Sequence, residues 1–82
     1  MNDSAIHQHI EDLVAEEEGL YEAGDDRPLT ADERRRLEAI NVQLDRYYDL
    51  LRQRRARRDA GQDPNAARIR SGSVVENMWS SL

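Results

Sequence analysis

Two apolar stripes that mirror each other constrain this chain more than any other feature. Ile6, Ile10, Leu13 and Leu20 fall at helical spacing, and so do Leu37, Ile40, Leu44, Tyr47 and Leu51. Residues three and four apart share one face of an α-helix, so each set predicts a helix with one apolar side. Between the stripes stands Gly24-Asp25-Asp26-Arg27-Pro28, a turn and breaker cluster. Folding the chain back between Gly24 and Leu29 brings the stripes into register. Leu20 then meets Leu37, Leu13 meets Leu44, Ile10 meets Tyr47 and Ile6 meets Leu51. The expected fold is all-α, an antiparallel two-helix hairpin.

Local signals set the expected boundaries. Asp3 or Ser4 can cap helix one, placed at about 4–23. Thr30-Ala31-Asp32-Glu33 is a capping box, in which the Thr hydroxyl accepts from the Glu33 amide and the Glu33 carboxylate reaches back. Helix two follows over about 31–60, roughly 45 Å at 1.5 Å per residue. Gly61 suits the position after a helix end, and Pro64 bars continuation. The hairpin thus occupies 1–61 and a tail of different composition occupies 62–82. In the tail, Asp63-Pro64-Asn65 reads as a turn. Ser73-Val74-Val75-Glu76 reads as a second capping box, opening a short helix over 74–79. That helix would present Val74, Val75, Met78 and Trp79 on one side.

Eighty-two residues make one small domain. A chain of this size buries only about 60% of its unfolded surface. Apolar residues are 38% and aromatics 5%, so the core of a lone hairpin is thin. With no cysteine there is neither a disulfide nor a thiolate metal site to reinforce it. Leu50 adds to the problem, because it projects about 100° off the main stripe. It needs a cover, either the Val74/Trp79 patch or another subunit. The remedy expected for such a scaffold is dimerisation into a helical bundle. The expected interface is Tyr47, Tyr48, Leu50 and Leu51 with Val74, Val75, Met78 and Trp79. No stretch is apolar enough to span a membrane and the first residues are polar, so the expected location is the cytoplasm.

The net charge of −5 conceals a strong polarity. Residues 1–26 hold nine acids and no Lys or Arg, whereas 27–58 hold ten arginines against five acids. Every Lys-or-Arg position in the chain is arginine, which offers a planar fork of donors for carboxylates or phosphates. Five of them, Arg52, Arg54, Arg55, Arg57 and Arg58, crowd seven residues where helix two overshoots helix one. By projection, Arg55 and Arg58 continue the apolar stripe past Leu51, and Asp3 stands opposite Arg54. One reading pairs these arginines internally, with Asp3, Asp59, Asp63 or the helix C-terminus. The other offers them to an acidic protein partner, or alternatively to the phosphates of a nucleic acid or ribosome. The acidic net charge and the lack of interleaved aromatics weigh against nucleic acid.

Other candidate chemistry reads as structural. His7 and His9 lie about 200° apart on a helix and cannot hold one ion together. Asp45, Asp49 and Arg52 share a flank, and Asp49 and Arg52 are spaced for a salt bridge. Glu16-Glu17-Glu18 reads as a solvated face, with Arg34–Arg36 nearer Glu22 and Ala23. There is no Gly-rich phosphate loop, no nucleophile beside a base and no HExxH. The expectation is a protein that is not an enzyme and takes no metal or cofactor.

The stretch Leu44-Asp45-Arg46-Tyr47-Tyr48-Asp49-Leu50-Leu51-Arg52-Gln53-Arg54-Arg55-Ala56, with the LDxxxDLLRQRRA pattern, carries a resemblance. So do Ile6-His7-Gln8-His9-Ile10-Glu11, Gly61-Gln62-Asp63-Pro64-Asn65 and Val74-Val75-Glu76. Together they resemble a family of short, mostly actinobacterial proteins known as domain of unknown function 2630. The resemblance implies a high-GC bacterial origin, which accounts for arginine in place of lysine. It also implies an aromatic pair near Tyr47-Tyr48, where Trp is frequent at the second place and this chain has Tyr48. It transfers no activity and no catalytic residue.

Overall fold

The computed structural model describes residues 1–69. Helix α1 spans Asp3–Asp26 and helix α2 spans Ala31–Asp59, and a single 3-10 turn, Pro64–Ala66, follows. The described residues contain no strand, and the two long helices pack antiparallel as a hairpin. The expected helix over 74–79, with Val74, Val75, Met78 and Trp79, lies outside the described residues.

Both ends of α1 differ from expectation. Its cap is Asn2, whose side-chain oxygen accepts from the Ala5 amide at 2.8 Å, rather than Asp3 or Ser4. Asn caps as well as Asp does, and Asp3 is engaged elsewhere. At the other end Gly24 does not break the helix, which continues to Asp26. The stop is set by Pro28. The residue before a proline is driven out of the helical region, and Arg27 is fully extended at φ −158°, ψ 159°.

α2 starts as the sequence predicts. Thr30 Oγ1 accepts from the Glu33 amide at 3.1 Å, and Glu33 accepts from the Thr30 amide at 2.9 Å. It ends at Ala60 in a Schellman arrangement. The Gln62 amide donates to the Arg57 carbonyl at 2.7 Å and the Gly61 amide to the Arg58 carbonyl at 3.1 Å. That geometry needs a left-handed residue, and Gly61 supplies it at φ +73°.

Ile6 and Ile40 are completely sealed between the two helices. Ile10, Leu13, Leu44, Leu50 and Ala67 complete the buried cluster, and Val14, Leu20, Tyr47 and Leu51 pack at its edge. Burying one such aliphatic side chain is worth about 1.5–3 kcal/mol. The cover on Leu50 therefore comes within the chain, with Ala67 as its neighbour in the cluster, just beyond the 3-10 turn. The Gln53 side chain fastens that segment by donating to the Arg68 carbonyl at 2.9 Å.

The acidic run of α1 is not a uniform solvated face. Glu17 occupies the stripe between Leu13 and Leu20 and is half-buried. Glu16 receives Arg36 at 2.8 and 2.6 Å. Arg36 thus reaches about five residues, or ~7.5 Å, along the hairpin from the level predicted by register.

Candidate interaction surface

The five arginines at the end of α2 are divided by the structure. Arg54 is only 6% exposed. Its Nε donates to Asp3 Oδ1 at 2.5 Å, and its Nη1 donates to the Pro64 carbonyl at 3.2 Å and Asn65 Oδ1 at 3.0 Å. Arg58 donates to the other Asp3 oxygen from both terminal nitrogens, at 2.9 and 2.8 Å. One carboxylate at the start of α1 therefore holds two guanidiniums at the end of α2. The turn after α2 supplies Arg54 with its remaining acceptors. The Arg54 hydrogen bond, and then the charges of Arg58 and Arg54, hold the Asp3 carboxyl below the ordinary range against an opposing effect of burial.

This corrects the expected placement of Arg55 on the core stripe. The alternation of four- and three-residue steps that carries Ile40, Leu44, Tyr47 and Leu51 continues to Arg54 and Arg58. Arg55 is exposed instead. Among the described residues, Arg55 and Arg57 form no ion pair, and Arg52 approaches Asp49 only to 4.0 Å. Arg52 and Arg55 are three apart and share a flank. Arg57 is half-buried on another side.

The loop end carries a second clasp. Arg27 donates to both oxygens of Glu33, at 2.7 and 2.8 Å, while Glu33 also accepts from Thr30. These bonds, Arg27 first, bring the Glu33 carboxyl down to about 2. Arg34 donates to the Leu29 carbonyl at 3.1 Å, and Arg35 pairs with Asp32.

The apolar residues expected at an interface are also sorted. Leu50 is buried, Leu51 is half-buried, and Tyr47 is half-buried with its ring stacked on His9 at 5.2 Å. Tyr48 remains 45% exposed and Tyr21 52%. Gln43, Arg46, Tyr47 and Ile69 line an open cleft of about 280 Å³. There Arg46 Nε is buried without a hydrogen-bond partner among the described residues. Among those residues no group of three His, Asp or Glu side chains could hold a metal ion. No helix among them is long and apolar enough to cross a membrane.

A family model described as protein of unknown function (DUF2630) matches residues 2–79. The chain belongs to this family. Relatives include the uncharacterized protein Rv0898c of Mycobacterium tuberculosis (strain ATCC 25618 / H37Rv) and the uncharacterized protein Mb0922c of Mycobacterium bovis. Each is 43% identical over 75 residues, covering 90% of this chain and 86% of the relative. The actinobacterial resemblance is therefore correct. No solved structure matches the chain.

Within this DUF2630 chain the pattern LDxxxDLLRQRRA has a partly structural content. Its first leucine, Leu44, and Leu50 are core, and Arg54 is the buried clasp. Asp49 accepts from the Gln53 side chain at 2.7 Å. Sequence reasoning overlooked Pro64 and Asn65 as partners of Arg54. Both lie in a turn that was legible, but nothing local links that turn to an arginine ten residues earlier.

Proposed function

We propose that this DUF2630 protein is a non-enzymatic, homodimeric interaction module. It offers the free arginines at the end of α2 to an acidic protein. The observation that supports this reading is the division of the cluster. Arg54 and Arg58 are committed to Asp3, while Arg55 and Arg57 have no ion pair among the described residues and Arg52 only a loose one. A guanidinium without a local carboxylate is available for bidentate contact with an acidic side chain. Fewer free charges remain than the sequence offers, and no aromatic side chain stands between them to stack a base. An acidic protein suits such a flank better than a nucleic acid.

The test titrates the protein against a polyglutamate peptide and, separately, a single-stranded RNA oligonucleotide. The expected result is salt-sensitive peptide binding that is lost in Arg52→Gln/Arg55→Gln/Arg57→Gln, with no RNA binding. RNA binding whose logarithmic salt slope falls by about 0.7 per lost arginine would establish the nucleic-acid alternative. Binding of neither probe would overturn both.

A further inference from the structure

The two broad faces of the hairpin are unequal. One carries the segment after α2, with Ala67 in the buried cluster beside Leu50, and Glu16 pairs there with Arg36. His9 stacks on Tyr47 on that side as well. Projected at 100° per residue, Val14, Tyr21 and Asp25 of α1 and Arg34, Leu37 and Tyr48 of α2 fall on the opposite face. Among the described residues nothing covers this face. Tyr21 and Tyr48 stand exposed on it, Val14 and Leu37 are only half-buried, and Asp25 has no ion pair. Large side chains left open on one face of a two-helix protein mark a candidate association surface.

We infer that a second copy of this chain covers this face, with α1 of each copy lying antiparallel on α2 of the other. The inference rests on the homodimeric reading above and specifies its geometry. Charge decides both the occupant and its orientation. A two-fold axis across the helices would set α1 on its own copy, one helix with nine acids and no Lys or Arg beside another, with Asp25 and Glu18 on the contacting side. A two-fold axis along the helices sets the acidic α1 on the arginine-bearing α2 instead. It also keeps the levels that match Asp3 to Arg54 and His9 to Tyr47 within one chain. Tyr21 then lies over the partner's Leu37, Val14 at a level between the partner's Leu37 and the partner's Tyr48, and Asp25 within about one turn of the partner's Arg34. The face is two helices wide, ~20 Å, and about 22 residues long, ~33 Å. Its area, on the order of 650 Å², approaches the ~800 Å² per partner of a stable interface. This arrangement brings both arginine ends to the same end of the bundle, with Arg52, which projects in the direction of Arg34, at the rim of the contact.

The experiment is sedimentation equilibrium on the full chain and three variants. Wild type is expected to dimerise, and Tyr21→Glu to weaken the dimer at least about tenfold. Tyr21 is exposed, so the monomer fold, checked by circular dichroism, should survive. Asp25→Arg and Arg34→Glu should each weaken self-association, because each places like charges opposite one another. Both substitutions suit the helix dipole at their positions. Mixed in equal amounts, they should form a heterodimer tighter than either homodimer. A wild-type dimer indifferent to all three substitutions would overturn this geometry while leaving the homodimeric reading intact. A wild-type monomer at all accessible concentrations would overturn both.

Discussion

The open end of the hairpin and its loop end are built from similar side chains but buried very differently. At the open end Ile6 is sealed, Leu50 is 4% exposed and even a guanidinium, Arg54, is buried. At the loop end Leu20, Leu29 and Leu37 are all only half-buried. Leucine content does not explain the contrast. The open end is enclosed by three segments, because the chain turns at Gly61 and returns along α2, whereas the loop end has two. Two helices touching along one stripe cannot exclude water from both flanks, and a third element can. Each end also has a carboxylate clasp, Asp3 with Arg54 and Arg58 at one and Glu33 with Arg27 at the other. Only the first reaches between the helices.

The sharpest way to break this comparison is to truncate the core at each end. Ile6→Ala should cost about 2–5 kcal/mol, as expected for a sealed aliphatic side chain, and Leu20→Ala less than half of that. Urea denaturation at neutral pH measures both, and equal losses would refute the distinction. Acid should weaken both ends together. Glu33 titrates at about 2 in the folded protein, below its ordinary 4.5, and Asp3 is lowered in the same direction. The folded state therefore binds fewer protons than the unfolded state there. The stabilisation is complete above about pH 4.5 and is lost as pH falls toward 2. Thermal melts by circular dichroism across that range should show the decline, and Glu33→Gln should flatten part of it.

Smaller effects sharpen the picture at the loop end. Thr30→Ala removes the cap of α2 and should cost about 1 kcal/mol. Arg27 and Glu33 remain in place in that variant, so a larger loss would mean that the clasp depends on the cap. The least effect should be a gain. Gly19 lies inside α1 with nothing within 4 Å of where a Cβ would stand, so Gly19→Ala should stabilise by up to about 1 kcal/mol. A loss would show that this surface is covered.

The hairpin was legible because its information is periodic and redundant. Several apolar pairs agree on one register, and the Thr30–Glu33 box and Gly61 mark the limits of α2 without reference to anything distant. The errors arose where neighbouring residues are chemically interchangeable. Asn2, Asp3 and Ser4 are all good caps, and the choice among them is made by arginines more than fifty residues away that claim Asp3. Arg54 and Arg55 differ by one position, and only the continued four-three alternation separates the buried one from the exposed one. Gly24 and Pro28 both discourage helix, but glycine costs about 1 kcal/mol whereas proline constrains the residue before it outright. The arginine surface was visible as composition. Its division was not, because the acceptors on Pro64 and Asn65 come from a turn whose position depends on how α2 ends.

The Asp3 clasp also bears on the order in which the molecule assembles. Its partners are 51 and 55 residues away, whereas the Glu33 clasp spans six. Closing a long loop carries an entropy cost that a single polar contact cannot meet in an otherwise open chain. The short clasp and the turn it stabilises can form early and bring the two stripes together at the loop. Pairing then spreads outward, each apolar layer shortening the next closure. The Asp3 contact is therefore conditional on the helices being paired, whereas the Glu33 clasp is local. The most deeply buried end of the protein is thus also the one closed by its longest-range polar contact.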